Sequence, residues 1–385
     1  MNLEPTSQSE PATSQSLDAQ QRPLLLCLSH LRWGFVYQRP QHLMSRLARD
    51  YDVAFFEEPL LDEAPQPWLE EMPQPEGVTL LVPHLPHTIG TEDAIKEQRN
   101  LIDAWLHDHA PQELILWYFT PMSLAFTDHL WATVTVFDCM DELSAFHGAP
   151  PQLQEMEQEL LERADVVFTG GYSLWEVKRE QHGNAHAMPS SVDSAHFAQA
   201  RTGLDEPLDQ QGIAHPRLGF FGVIDERFDI ELVRALAALQ PDWQWVFVGP
   251  VVKIDPAILP RAANIHYLGA KKYTELPAYL SGWDVALMPF ALNESTRFIS
   301  PTKTPEYLAG GRPVVSTPII DVVRAYGDSA AVWVADTPDT FVQAIREALS
   351  AKDHPEFLKS ADATLAGMSW DKTCAAMKEQ IECLR

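Results

Sequence analysis

An α/β fold of two consecutive, doubly wound Rossmann-like domains facing a central cleft is predicted by three observations. From Pro23 onward, short apolar runs alternate with helical patterns, the signature of repeated βαβ units. The alternation breaks once, in a polar stretch with breakers over residues 198–216, and then resumes. A chain of 385 residues also suits two domains of roughly 150–200 residues better than one core.

Residues 1–20 are rich in Ser, Gln, Glu and Pro and are expected to form a disordered tail. The N-terminal domain is assigned to residues 21–200, with strands at 24–28, 53–56, 78–82, 114–118, 133–137 and 166–168. Helices are expected between them, at 41–49, 92–108 and 152–163. A linker over 201–216 leads into the C-terminal domain, 217–367, whose strands fall at 218–222, 245–249, 265–268, 285–289, 314–317 and 331–335. A last helix is expected within 368–385. Sheets of this kind bind ligands beyond the carboxyl ends of their strands, so the site is expected between the domains.

Composition narrows the function. A formal net charge of −26 argues against a nucleic-acid binder, whose footprint is a basic face. It equally disfavours a polybasic dock on anionic lipid, leaving peripheral membrane association at most. Cys27, Cys139, Cys374 and Cys383 show no Cys-x-x-Cys pairing, which reads as free thiols in a reducing cytoplasm. No apolar run approaches the roughly 20 residues of a membrane span, and no secretory signal pattern opens the chain. No Asp-x-Asp between strands suggests a metal.

The most informative segment runs from Ser300 to Thr317. Pro301 and Thr302 suit a helix start, Glu306-Tyr307-Leu308-Ala309 continue the helix, and Gly310-Gly311 stop it before the β-branched run Pro313-Val314-Val315. A helix N-terminus with Lys303 beside it suits a phosphate or diphosphate, and Glu306 can accept bonds from ribose hydroxyls. Gly222 ends a strand before a turn that holds Arg227, a side chain able to grip a diphosphate in bidentate fashion.

These residues resemble the donor-binding signature of GT-B fold glycosyltransferases, specifically the retaining group 1 (family 4-like) enzymes of bacterial exopolysaccharide and cell-wall synthesis. Glu306 matches the second Glu of that family's paired-Glu pattern. Phe298 stands where the first would fall, and Glu294 lies four residues too early. The family's glycine loop carries an Arg, matched by Arg227, and then a Lys that Asp229-Ile230-Glu231 does not supply; Lys303 is expected to replace it. The resemblance implies that the Leu268-Gly269 turn faces the nucleobase and that the last helix packs back on the N-terminal domain; Gly249 reads as ending a strand at the pocket wall, and Glu294 as reaching sugar hydroxyls. Many relatives place a His after the fifth strand, where this chain has Asp138 and Asp141. Relatives also show Pro-Asn-Gly-Val-Asp where Pro189-Ser190-Ser191-Val192-Asp193 stands.

On the N-terminal side, the run Gln38-Arg39-Pro40-Gln41-His42-Leu43 resembles a subgroup of the same enzymes. Trp33 and Tyr37 offer aromatic faces for a sugar ring, and Arg39 a cation for an anionic acceptor. The competing reading has Trp33, Tyr37 and His42 packing the first helix. Asp138 or Asp141 is expected to orient the acceptor hydroxyl or act as base, with Arg227 and Lys303 stabilising the departing diphosphate. The resulting expectation is a metal-independent, cofactor-free glycosyltransferase. It would move a sugar from a nucleoside diphosphate donor to a glycan or lipid-linked acceptor. The alternatives are a nucleotide-sugar 2-epimerase of the same fold and a non-catalytic sugar-nucleotide-binding subunit.

Overall fold

The computed structural model describes residues 22–63 and 65–385, so the expected tail over residues 1–20 lies outside the described residues. In the N-terminal domain the strands are β1 (Leu24–Leu28), β2 (Asp52–Phe56), β3 (Leu60–Asp62), β4 (Trp68–Pro73), β5 (Val78–Pro86), β6 (Leu114–Tyr118), β7 (Val134–Cys139), β8 (Val166–Thr169) and β9 (Ala185–Ala187). Their order is β3-β5-β2-β1-β6-β7-β8-β9, with β4 hydrogen-bonded antiparallel to β5 and the remaining pairs parallel. β1 is flanked in parallel by β2 and β6, in registers Leu24↔Asp52 and Leu24↔Leu114.

All five side chains of β1 are buried, because the two-residue period of a strand feeds two cores at once. Leu25 and Cys27 join one cluster with Trp370 and Met377 of the helix Trp370–Glu382, whereas Leu24, Leu26 and Leu28 face Ile102 and Trp105 on the opposite side. The last helix therefore completes the first domain's core, tied down by Arg49 to Asp371 at 2.9 Å and the Tyr51 hydroxyl to Glu382 at 2.5 Å.

The C-terminal domain holds β10 (Arg217–Phe221), β11 (Gln244–Val248), β12 (Ile265–Tyr267), β13 (Val285–Met288), β14 (Val314–Ser316) and β15 (Val332–Val334). This sheet is parallel throughout and ordered β12-β11-β10-β13-β14-β15, with the chain direction of ordering reversing between β10 and β13. Such a reversal opens a crevice at the strand ends.

The structure adds elements that periodicity did not show. β5 continues to Pro86 and pairs with β4, whose residues Trp68-Leu69-Glu70-Glu71-Met72-Pro73 are exposed or half-buried and carry no apolar alternation. The stretch 201–216 is also not a free linker. Gln210 is buried there, accepting from Trp283 Nε1 at 2.9 Å and donating to the Tyr279 carbonyl at 3.0 Å. A further tie joins the domains, because Asp321 accepts the Ser173 N–H at 3.0 Å across the interface. The four cysteines carry free thiols, three buried and Cys383 exposed. Among the described residues no helix is long and apolar enough to cross a membrane.

Candidate active site

Strand ends from both sheets converge on a cleft containing a cavity of about 580 Å³. The loop after β1, from Trp33 to Gln38, forms one wall; Gly222, Arg227, Gly249, Lys272, Tyr273, Lys303 and Glu306 form much of the other. A smaller cavity of about 70 Å³ adjoins it, lined by Arg39, Asp141, Ser190, Arg227, Pro301, Thr302 and Lys303.

Lys303 opens the helix Lys303–Ala309, with Thr302 at its N-cap, and it is partly buried without an ion pair among the described residues. Burial pushes its ammonium below the ordinary lysine value, against the pull of Glu306. One turn on, Glu306 is buried, and no hydrogen bond to its carboxylate comes from the described residues. Burial raises Glu306 to about 8, against the stabilising charge of Lys303. A partly buried cation and a buried carboxyl thus share one wall of the cleft.

Gly222 serves this arrangement in a way its sequence position did not show. Its φ of +143° suits glycine, and an added Cβ would collide with Lys303 Cε. The missing side chain makes room for the lysine stem as well as for a ligand. Gly249, at φ +148°, is built the same way, since a Cβ there would strike the Gly222 carbonyl oxygen. Arg227 is held by Asp225, with Nη2 to Oδ2 at 2.7 Å and Nε to Oδ1 at 3.0 Å.

The paired carboxylates after β7 part company. Asp138 is fully buried and takes Arg39 through Nη2 at 2.8 Å and Nε at 3.0 Å, while Arg39 Nη1 donates to the Met188 carbonyl at 2.6 Å. Arg39 is itself 1% exposed, so its guanidinium is engaged inside the protein rather than offered to an acceptor. Asp138 likewise has no free edge for an acceptor hydroxyl. Asp141 reaches the smaller cavity with no hydrogen bond to its carboxylate from the described residues. Burial raises it, opposed by Arg227, Arg39 and Lys303 in that order. The third acidic residue, Glu142, binds Lys178 at 2.9 Å.

Other expectations change in detail. Trp33 lines the cleft but is mostly buried, packed edge-on against Phe55 at 5.2 Å. Tyr37 presents its face to Tyr273 of the other domain, at 4.6 Å between centroids, so a sugar would meet the pair rather than an open ring. His42 packs, stacked on Trp370 at 4.7 Å. The Gly269 carbonyl accepts the Gly249 N–H at 2.9 Å and Leu268 packs on the core, leaving the cavity wall to Ala270 through Tyr273. Glu294 lines neither cavity, its side chain 79% exposed near Arg297. Reasoning from sequence also missed Asp225, which fixes Arg227, and favoured core packing for Tyr273, which lines the cavity with a buried hydroxyl that has no hydrogen-bond partner among the described residues.

Two parallel α/β domains facing each other across a charged cleft define the GT-B class. Known proteins agree: a sucrose-phosphate synthase from Thermosynechococcus elongatus superposes with a TM-score of 0.72 at 15% identity, covering 94% of this chain and 99% of that one. The catalytic domain of starch synthase IV from Arabidopsis thaliana, bound to ADP and acarbose, gives 0.67 at 10% identity, covering 94% and 99%. A trehalose-6-phosphate structure from E. coli, bound with UDP-2-fluoro glucose, gives 0.67 at 12%, covering 94% and 98%. Residues 215–351, most of the C-terminal domain, match the family model described as glycosyl transferases group 1. A Bacillus subtilis protein named as a teichuronic acid biosynthesis glycosyltransferase, TuaH, is 26% identical over 254 residues, spanning 61% of this chain and 63% of that relative.

Proposed function

We propose that the protein is a glycosyltransferase that moves a sugar from a nucleoside diphosphate donor to a glycan or lipid-linked acceptor, in polysaccharide or cell-envelope synthesis. The observation that carries the proposal is the convergence of Arg227, Lys303 and Glu306 from one domain with Asp141 from the other on adjoining cavities. The group 1 family match of the C-terminal domain and the relative named for teichuronic acid biosynthesis support the same reading.

In this mechanism Arg227 and Lys303 stabilise the diphosphate as it departs, where negative charge develops. These two side chains neutralise it without a metal. Glu306 accepts the ribose hydroxyls, and the Tyr37–Tyr273 pair borders the pocket. Asp141 orients the acceptor hydroxyl, the role Asp138 gives up through its bond to Arg39. Transfer proceeds with retention, the leaving phosphate oxygen taking the acceptor proton on the same face of the sugar.

The test is incubation of the pure protein with UDP-, GDP-, ADP- and TDP-sugars, reading thermal shift and nucleoside diphosphate release together. Stabilisation by one donor with slow release is expected. Release of an epimerised nucleotide sugar would replace the transferase with an epimerase, and silence toward all four would sink the donor site.

A further inference from the structure

Phe146 belongs to none of the sequence motifs, yet two cations of the opposite domain meet on its ring. The loop 140–149 leaves β7 and crosses the cleft. At its root Glu142 binds Lys178 at 2.9 Å, and Lys178, 3% exposed, also binds Glu157 at 2.8 Å. At its far end the His147 backbone N–H donates to both Glu226 carboxylate oxygens of the other domain, at 2.9 and 3.2 Å.

Between these anchors the Phe146 ring faces Arg227 Cζ at 5.4 Å and Lys253 Nζ at 5.6 Å. The face of an aromatic ring carries partial negative charge and attracts cations within about 6 Å. Lys253 holds a left-handed backbone at φ +62°, seldom taken by residues other than glycine, and makes no ion pair among the described residues. Asp225 occupies one edge of the Arg227 guanidinium through Nε and Nη2, which leaves a face for Phe146 and an edge for a ligand.

Resting on the donor-site reading above, we propose that Phe146 is a positioning residue that gathers Arg227 and Lys253 onto the N-terminal loop carrying Asp141, so that diphosphate binding and presentation of Asp141 occur together. The ring fixes the guanidinium in the plane that Asp225 began to set. It also holds Lys253, which lines neither cavity, where its charge adds to the positive field felt by a bound anion.

Substitutions that separate ring charge from ring bulk test this. The full-length protein is titrated calorimetrically with UDP, GDP and ADP, and the nucleotide bound by the wild type is carried to the variants. Phe146→Leu is expected to weaken that Kd about five- to tenfold and to lower kcat/KM at least as much, whereas Phe146→Tyr stays within about twofold. Lys253→Gln, at an exposed position that the fold tolerates, is expected to weaken binding about threefold and to reduce its salt dependence. Binding by Phe146→Leu equal to that of the wild type would overturn the proposal, as would loss in Phe146→Tyr matching that in Phe146→Leu. A wild type that binds none of the three nucleotides would instead overturn the donor site itself, and this proposal with it.

Discussion

Arg39 and Asp138 stand 99 residues apart in sequence and share two strong hydrogen bonds, with both side chains almost wholly out of solvent. Burial raises the Asp138 carboxyl and Arg39 pulls it back. Removing one partner strands the other as a buried charge, at a cost of about 3–5 kcal/mol. Arg39→Met is therefore expected to lower stability by that amount in urea unfolding. Asp141→Asn is expected to change stability by less than about 1 kcal/mol while reducing turnover. A stable Arg39→Met protein would dissolve the structural assignment of the pair.

Lys303 makes the opposite trade. It has no ion pair among the described residues, and burial already disfavours its charge. Lys303→Met should leave unfolding unchanged or slightly favourable, yet reduce turnover about 10²- to 10³-fold through loss of charge at the leaving group. Equal turnover in the variant and wild type, measured by diphosphate release, would remove Lys303 from the chemistry.

Glu306 predicts a pH dependence of stability. Its folded-state carboxyl titrates near 8 against an ordinary value of 4.5. Between those values the folded state keeps a proton that the unfolded chain has released, so this group's contribution is fullest below about pH 4.5 and is lost as pH rises toward 8. Lys303, pushed down, contributes in the opposite sense. Glu306→Gln should thus flatten the fall in Tm between about pH 5 and 8. Parallel Tm–pH curves for the two proteins would refute the assignment.

The two cleft glycines predict an order. At Gly222 a new Cβ meets the stem of a lysine that can rotate away, whereas at Gly249 it meets a backbone carbonyl. Both positions are strained for any L side chain, at roughly 1–3 kcal/mol. Gly249→Ala is expected to destabilise more than Gly222→Ala, and Gly222→Ala to weaken nucleotide binding about tenfold by displacing Lys303. Calorimetry of the two variants decides this, and the reverse order would contradict it.

Much of the architecture was legible because buried parallel strands are written as apolar runs. The run 24–28 is β1 residue for residue, and 114–118 is β6. β4 and the docking of residues 201–216 were not legible, since an edge strand such as Trp68–Pro73 needs no buried face and Gln210 is polar. The site was legible where a local motif makes it, as in Lys303 and Glu306 one helical turn apart. It was illegible where long-range partners decide, as for Tyr37, whose ring face goes to Tyr273.

By itself the sequence determined two parallel α/β domains, their order along the chain, and a lysine and a carboxylate placed at the start of one short helix. It supplied Asp138 and Asp141 as near equals. Only the tertiary structure separated them, by bringing Arg39 onto Asp138 and leaving Asp141 at the cavity beside Arg227 and Lys303. The physical reason is that a strand's period is set locally, whereas the availability of a charged group depends on which distant side chains meet it and on how much water they exclude.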